Sequence, residues 1–196
     1  KLESIRPKQI SKVEDLHNLS FLLDLFKFKS LEKNVLATDQ FNHLLKQGVK
    51  FETAWDKVSR KMLEATYSHC YLIIISNFIK KINENQNVKI KEVLTQLCIL
   101  FACTQFVDNN WGDIFSRNEF ERIDSAIQEL TPKIRHNAVP LVDAFGIPDG
   151  VIKSTIGRYD GNVYEALFDA AQGSTLNQTD PFDGYKHLAP HLNTKL

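Results

Sequence analysis

The sequence predicts an all-α helical bundle, and three features of it carry that prediction. Apolar residues recur at intervals of three and four over long stretches, which places them on one face of a helix. Short clusters of Gly, Asn and Pro separate these stretches where helices have to stop and turn. No internal repeat or low-complexity tract points to a solenoid or a disordered chain.

Residues 1–19 hold Pro7 and few apolar anchors, and are expected to be a linker or an arm laid on another element. From Ser20, read as an N-cap, the run Phe21, Leu22, Leu25, Phe26, Phe28, Leu31, Val35 and Leu36 marks a first amphipathic helix, punctuated by Gly48. A second helix is predicted from about Phe51 to Ile82. It contains the β-branched cluster Ile73–Ile75, where strand propensity yields to length and periodic flanks. After the polar turn at 83–87, Val93, Leu94, Leu97, Leu100 and Phe101 mark a third helix, and "VDNNWGDIFSRN" breaks the pattern. A fourth helix carries Ile123, Ala126, Ile127, Leu130 and Ile134, with Pro132 expected to kink or end it.

A short helix capped at Asn137 tolerates Pro140 in its first turn and ends at Gly146. Asp149 is read as the cap of the turn "GVIKSTI", which Gly157 terminates with a left-handed residue. Asp160 or Asn162 then caps "VYEALFDAAQ", which stops at Gly173. Residues 20–173 thus read as the bundle, and 174–196 as a poorly periodic tail. Trp55, Phe78, Phe101, Phe106, Phe145, Tyr164 and Phe168 are expected to supply much of the core, at roughly 1.5–3 kcal/mol for each large side chain buried.

Twenty-four basic and twenty-four acidic residues cancel, which argues against binding nucleic acid or an anionic membrane through a basic face. The uncharged run Thr66–Ile79 is too short and too polar to span a bilayer. Three cysteines at irregular spacing make no disulfide framework and suit a reducing compartment. The N-terminus has no apolar signal core, and its start at Lys1 suggests a fragment or a processed chain.

The constellations that resemble chemistry are weak. His69 and Cys70 are helix neighbours and point about 100° apart, so they make a poor catalytic pair. Cys98 and Cys103 fall on different faces and read as core thiols. His187 and His191 have a spacing that a metal can bridge, but Pro190 lies between them. Asp108–Glu119 offers an acid at the twelfth place of a calcium loop, yet Asp113 stands where the glycine is required. No metal is therefore assigned, and no phosphate-binding, zinc or serine-hydrolase motif occurs.

One stretch is distinctive. "VPLVDAFGIPDGVIKSTIGRYDGNVYEALFDAA", Val139–Ala171, resembles the C-terminal region of peroxisomal acyl-CoA oxidases, above all in "GRYDGNVYE". "AWDKVSRKMLEATYSHC" (Ala54–Cys70), "NNWGDI" (Asn109–Ile114) and "YKHL" (Tyr185–Leu188) fall in that family's order. The resemblance covers most of residues 50–196, whereas residues 1–49 match in helical character.

It implies a part of an FAD enzyme that oxidises acyl-CoA to trans-2-enoyl-CoA and passes electrons to oxygen, giving hydrogen peroxide. In such an enzyme the catalytic glutamate belongs to a preceding domain, so no catalytic residue is assigned here. The implied partners are the flavin-binding and catalytic domains, a second subunit, the acyl-CoA substrate and the peroxisomal import receptor. Thr194, Lys195 and Leu196 resemble the Ser-Lys-Leu peroxisomal address, with Thr in place of the usual small residue. Within the motif, Asp160 and Asn162 are read as caps, and Arg158, Tyr159 and Tyr164 as anchors to a neighbouring helix or the partner subunit. The alternative is a free-standing helical interaction module without enzymatic activity.

Overall fold

The computed structural model describes residues 6–109, 111–178 and 184–192, which form eight α-helices and no strand. Contacts divide the chain into two units, Lys1–Asn137 and Ala138–Leu196, a division that falls inside the 20–173 span of the periodic reading.

The first unit is built on a long hairpin. α1 (Leu19–Lys46) is capped by Asn18, not Ser20: the Asn18 side-chain oxygen accepts the N–H groups of Ser20 at 3.0 Å and Phe21 at 3.2 Å. At its other end Gly48 sits in the left-handed region, with φ 79°. There Gly48 N–H donates to Leu45 O at 3.0 Å and Val49 N–H to Leu44 O at 3.2 Å, which closes the helix and reverses the chain. α2 (Phe51–Glu84) then runs back along α1 and absorbs the Ile73–Ile75 cluster as helix. Asn87 caps α3 (Val88–Asp108), accepting from Lys89 N–H at 3.0 Å and Ile90 N–H at 3.2 Å.

α4 (Arg117–Arg135) continues through Pro132 instead of ending there. The proline removes one ladder bond close to the helix end, while Leu130 and Ile134 on either side are buried and hold the turn in place. α3, rather than the uncharged run 66–79, is the one helix among the described residues long and apolar enough to cross a membrane. In this fold its Cys98, Ile99, Ala102, Cys103 and Phe106 are buried in the bundle.

The core combines aliphatic side chains with an aromatic cluster around Phe106, the one member of the expected set that is fully buried. Phe106 is fully buried, with ring centroids 5.3 Å from Phe26, 4.6 Å from Trp111 and 5.1 Å from Phe115. Phe78 and Phe101, also of the expected set, are partly buried and pack against the core. By contrast Trp55 is 49% exposed, Phe145 78%, Tyr164 85% and Phe168 63%. Trp55 lies at the tip of the hairpin, in a small ring cluster with Phe41 and Phe51.

The arm is anchored to the first unit through Ile10 and Leu16, both buried. A 3-10 turn at Val13–His17 carries Leu16 inward. Glu119 and Arg122 of α4 read both polar groups of one arm residue: Glu119 Oε1 accepts Ile10 N–H at 3.0 Å, and Arg122 Nη1 donates to Ile10 O at 3.0 Å.

The second unit comprises α5 (Ala138–Asp143), α6 (Asp149–Ile152), α7 (Val163–Gly173) and α8 (Tyr185–Leu192). None of its described residues is buried, so Phe145, Tyr164 and Phe168 have nothing there to pack into. Gly146 is left-handed as expected, with φ 62°, but the other assignments shift. Lys153, not Gly157, takes the left-handed place after α6, with φ 50°. Gly157 is instead a close-approach position, because a Cβ there would lie 3.2 Å from Ile152 Cγ2. Residues 185–192 are helical, although the tail is poorly periodic.

Candidate functional site

The corner before α7 is held by its own polar side chains. The Arg158 guanidinium grips the Asp160 carboxylate with two nitrogens, Nε to Oδ1 at 2.9 Å and Nη2 to Oδ2. The same Oδ1 accepts Asn162 N–H at 3.0 Å, and Gly161 between them is left-handed with φ 72°. Asp149 accepts Tyr159 N–H from ten residues away, at 3.2 Å and 3.4 Å to its two oxygens, so it ties α6 to the motif instead of capping a turn. Asn162 occupies the N-cap position of α7 without a side-chain capping bond. The hydrogen bond from Arg158, followed by that from Asn162, holds the Asp160 carboxyl down at about 2. Such a carboxylate is a poor proton acceptor near neutrality. Tyr159 and Tyr164 project outward from this corner.

A second candidate lies within the first unit, a cavity of about 270 Å³ lined by Phe26, Lys29, Lys33, Tyr67, Tyr71 and Trp111 among others. Lys29 falls on the inner face of α1, and its side chain is 5% exposed. Its ammonium lies 5.3 Å from the centre of the Trp111 ring and 3.7 Å from Asp113 Oδ2. Lys33, one turn on, reaches the same oxygen at 3.0 Å and Glu64 at 3.8 Å.

Burial, then repulsion from Lys33, lowers the Lys29 pKa. For Lys33 burial is again the largest single influence, but the hydrogen bond to Asp113 and the charges of Asp113, Glu64 and Glu32 together outweigh it and raise the value. Asp113 is held below its ordinary range, chiefly by that bond. The cluster therefore pins α1 and α2 to the connection after α3. Spacing carries no signal for this role, since lysines one turn apart on an amphipathic helix are ordinarily surface charges.

The remaining candidates are placed apart. His69 Nδ1 lies 3.4 Å from Ser30 Oγ, while Cys70 is exposed. Cys98 and Cys103 are buried, and burial pushes both thiols up to about 12, where they are inert. Glu119 faces Ser116 and Ile10, whereas Asp113 faces the lysines, so these two acids of the 108–119 stretch, which also holds Asp108, serve different partners. His187 and His191 lie on α8, and no trio of metal-ligating side chains converges among the described residues. Thr194, Lys195 and Leu196 lie outside the described residues.

Comparison with known proteins places these features in a family. The family model for acyl-CoA oxidase matches residues 18–193. Peroxisomal acyl-coenzyme A oxidase 1 of Bos taurus is 31% identical over 201 residues, covering 99% of this chain and 30% of the relative. The Rattus norvegicus protein of the same name is 32% identical over 202 residues, with the same coverage of 99% and 30%. Among solved structures, Arabidopsis thaliana acyl-CoA oxidase 1 superposes with a TM-score of 0.78 at 30% identity, over 100% of this chain and 30% of that one. Acyl-CoA oxidase-2 of Caenorhabditis elegans, bound with FAD, ascaroside-CoA and ATP, gives a TM-score of 0.79 at 30% identity, over 97% of this chain and 29% of that one. This chain thus spans about 30% of the length of the curated relatives it matches. With a family match running from the first helix to the end of the last, the chain belongs to the acyl-CoA oxidase family.

Proposed function

We propose that this chain is a supporting helical part of an FAD-dependent acyl-CoA oxidase, and does not itself carry the reacting groups. The complete enzyme would convert acyl-CoA and O2 to trans-2-enoyl-CoA and H2O2 in peroxisomal fatty-acid β-oxidation. The observation that carries this reading is the match over residues 18–193 by a chain that is about 30% of its relatives' length. The role of this part is to pack against the flavin-binding and catalytic domains, to help form a homodimer, and to present Thr194, Lys195 and Leu196 to the peroxisomal import receptor. Arg158, Asp160 and Asn162 would keep the corner rigid while Tyr159 and Tyr164 anchor it to a neighbouring domain or subunit.

The chemistry of the described residues favours a supporting role. Every described carboxylate with a shifted pKa (Glu84, Asp113, Glu119, Glu129 and Asp160) is shifted down, and a weaker base is a poor choice for abstracting the α-proton of an acyl-CoA. FAD does not fit the cavity beside Lys29 and Trp111. At about 270 Å³ it falls below the ~300–1,000 Å³ of typical ligand pockets. Its lysines are already turned onto Asp113 and Glu64. The other oxidase domains would hold the flavin.

α3 serves in this reading as a core helix, with no membrane span, and the balanced charge leaves nucleic acid without a basic face. The purified chain, mixed with FAD and desalted, is expected to show no visible flavin absorbance and no acyl-CoA-dependent peroxide. Turnover above background from the chain alone would refute the supporting role.

A further inference from the structure

The connection between α3 and α4 is fastened by two other elements of the first unit. Ile114 N–H and Phe115 N–H both donate to Trp111 O at 2.9 Å, which closes residues 111–115 into one tight turn. The Phe115 ring stacks on the Trp111 ring, with centroids 5.3 Å apart and planes 10° apart. α1 holds this turn through the Lys29 ammonium over the Trp111 ring, and through Lys29 and Lys33 on Asp113 Oδ2.

The arm holds the same turn. Arg6 Nη2 donates to Ile114 O at 2.8 Å, and Ile10 N–H donates to Glu119 Oε1 at 3.0 Å. The other oxygen of that carboxylate accepts Ser116 N–H at 2.9 Å and Ser116 Oγ–H at 2.7 Å. The arm thus grips the turn at Ile114 directly, and through Glu119 at the residue that follows it. These fastenings are weaker than those of the helices. The arm contributes two fully buried side chains, Ile10 and Leu16, and a few long-range hydrogen bonds. α1–α4 share a core that persists without them, with Phe26, Ile75, Ala102 and Ile123 in contact. A segment with so few buried contacts opens at a lower free energy than the core it lies on.

We infer that the arm, residues 6–18, is a strap that holds the 111–115 turn closed on Lys29, so that its release opens the Lys29 cavity to solvent while α1–α4 stay folded. With the arm in place the Lys29 side chain is 5% exposed and Trp111 3%. When Arg6 and Ile10 leave, water replaces them on Ile114 O and Glu119 Oε1, and the turn keeps its lysine and ring contacts alone. Trp111 and Asp113 both belong to the turn, so the wall of the cavity and the acid that holds Lys29 move together. The strap belongs to the first unit and is independent of the oxidase reading.

Two measurements on the complete chain test the strap. Trp55→Phe leaves Trp111 as the single tryptophan, and acrylamide quenching of its fluorescence reads its exposure. Brief acetylation with N-hydroxysuccinimidyl acetate, followed by peptide mass spectrometry, reads Lys29 against the exposed Lys80 of α2. Arg6→Ala removes a bond from a charged donor and should raise the Lys29-to-Lys80 labelling ratio about tenfold, with Trp111 quenching up about twofold and helicity unchanged. Ile10→Ala, which empties the arm's buried anchor, should raise the ratio at least as much. Val58→Ala removes buried volume from the α1–α2 hairpin outside the main core, and should leave both readings at the wild-type level. Readings that stay at that level in both arm variants overturn the strap. So does a rise in Val58→Ala as large as theirs, because the opening is then general unfolding.

Discussion

Phe106→Ala is expected to destabilise the first unit by about 3–5 kcal/mol, the largest effect of any single truncation considered. Phe106 is fully buried and stands where Phe26, Trp111 and Phe115 meet, with centroids 4.6–5.3 Å from its own. Removing the ring takes away its transfer free energy and leaves a cavity bounded by three rigid aromatics. Those rings are fixed to α1 and to the connection after α3, so the gap cannot collapse without moving a helix. Thermal unfolding monitored by circular dichroism should show a midpoint lower by about 10–20 °C. Phe106→Leu, which keeps most of the volume, should lose much less. Equal losses for the two variants would mean that the aromatic cluster is not the centre of the core.

The second large effect is expected at Glu119, and it depends on pH. This carboxylate is 4% exposed and accepts Ile10 N–H at 3.0 Å, Ser116 N–H at 2.9 Å and Ser116 Oγ–H at 2.7 Å. It starts α4 and holds the arm with one group. Burial acts to raise its pKa, but the bonds from Ser116 and Ile10 and the charge of Arg122 outweigh that and bring it below the ordinary 4.5. A carboxyl whose folded pKa is depressed contributes stability that is fully present above its unfolded value. That contribution is lost as the pH falls through the lower folded value.

Glu119→Ala should therefore cost about 2–4 kcal/mol at pH 7, combining a lost cap with unsatisfied buried donors. Glu119→Gln should cost less, because its amide oxygen still accepts one of these bonds. Urea unfolding at pH 7 and at about pH 3 reads the linkage: the gap between wild type and Glu119→Gln should narrow in acid. A gap that stays constant across that range would show that the carboxylate is not the source.

The parts of this fold legible in the sequence are those where local periodicity and packing coincide. Helices α1–α4 follow the rhythm of threes and fours, and the left-handed residues at Gly48 and Gly146 stand where a chain reversal needs them. The arm was less legible because Ile10 and Leu16 are isolated in a polar stretch and acquire their meaning from α4, more than a hundred residues away. Phe115 fell in a segment read as a broken connection, yet together with Trp111, which the reading allowed to fill a packing gap, it completes the core around Phe106.

The misplacement of Phe145, Tyr164 and Phe168 has a different origin. Their spacing marks apolar helix faces correctly, but a face is buried only if something covers it, and nothing described in the second unit does. The motif Arg158–Tyr164 was legible as a family signature long before it was legible as geometry. Its arginine–aspartate grip sits in a turn where Gly161 is left-handed and its N–H donates to Arg158 O at 3.3 Å, which spacing alone does not reveal.

The remaining question is whether a chain with an exposed, internally hydrogen-bonded motif and depressed carboxylates completes an oxidase made elsewhere. Reconstitution answers it: an acyl-CoA oxidase of the family is prepared without the region this chain matches, and peroxide release from acyl-CoA is measured before and after adding the chain. Addition is expected to restore FAD retention and turnover together, with saturation at one chain per truncated subunit. Restoration that requires no binding, or binding that leaves both flavin retention and turnover unchanged, would contradict the assignment of this chain as a supporting part of the enzyme.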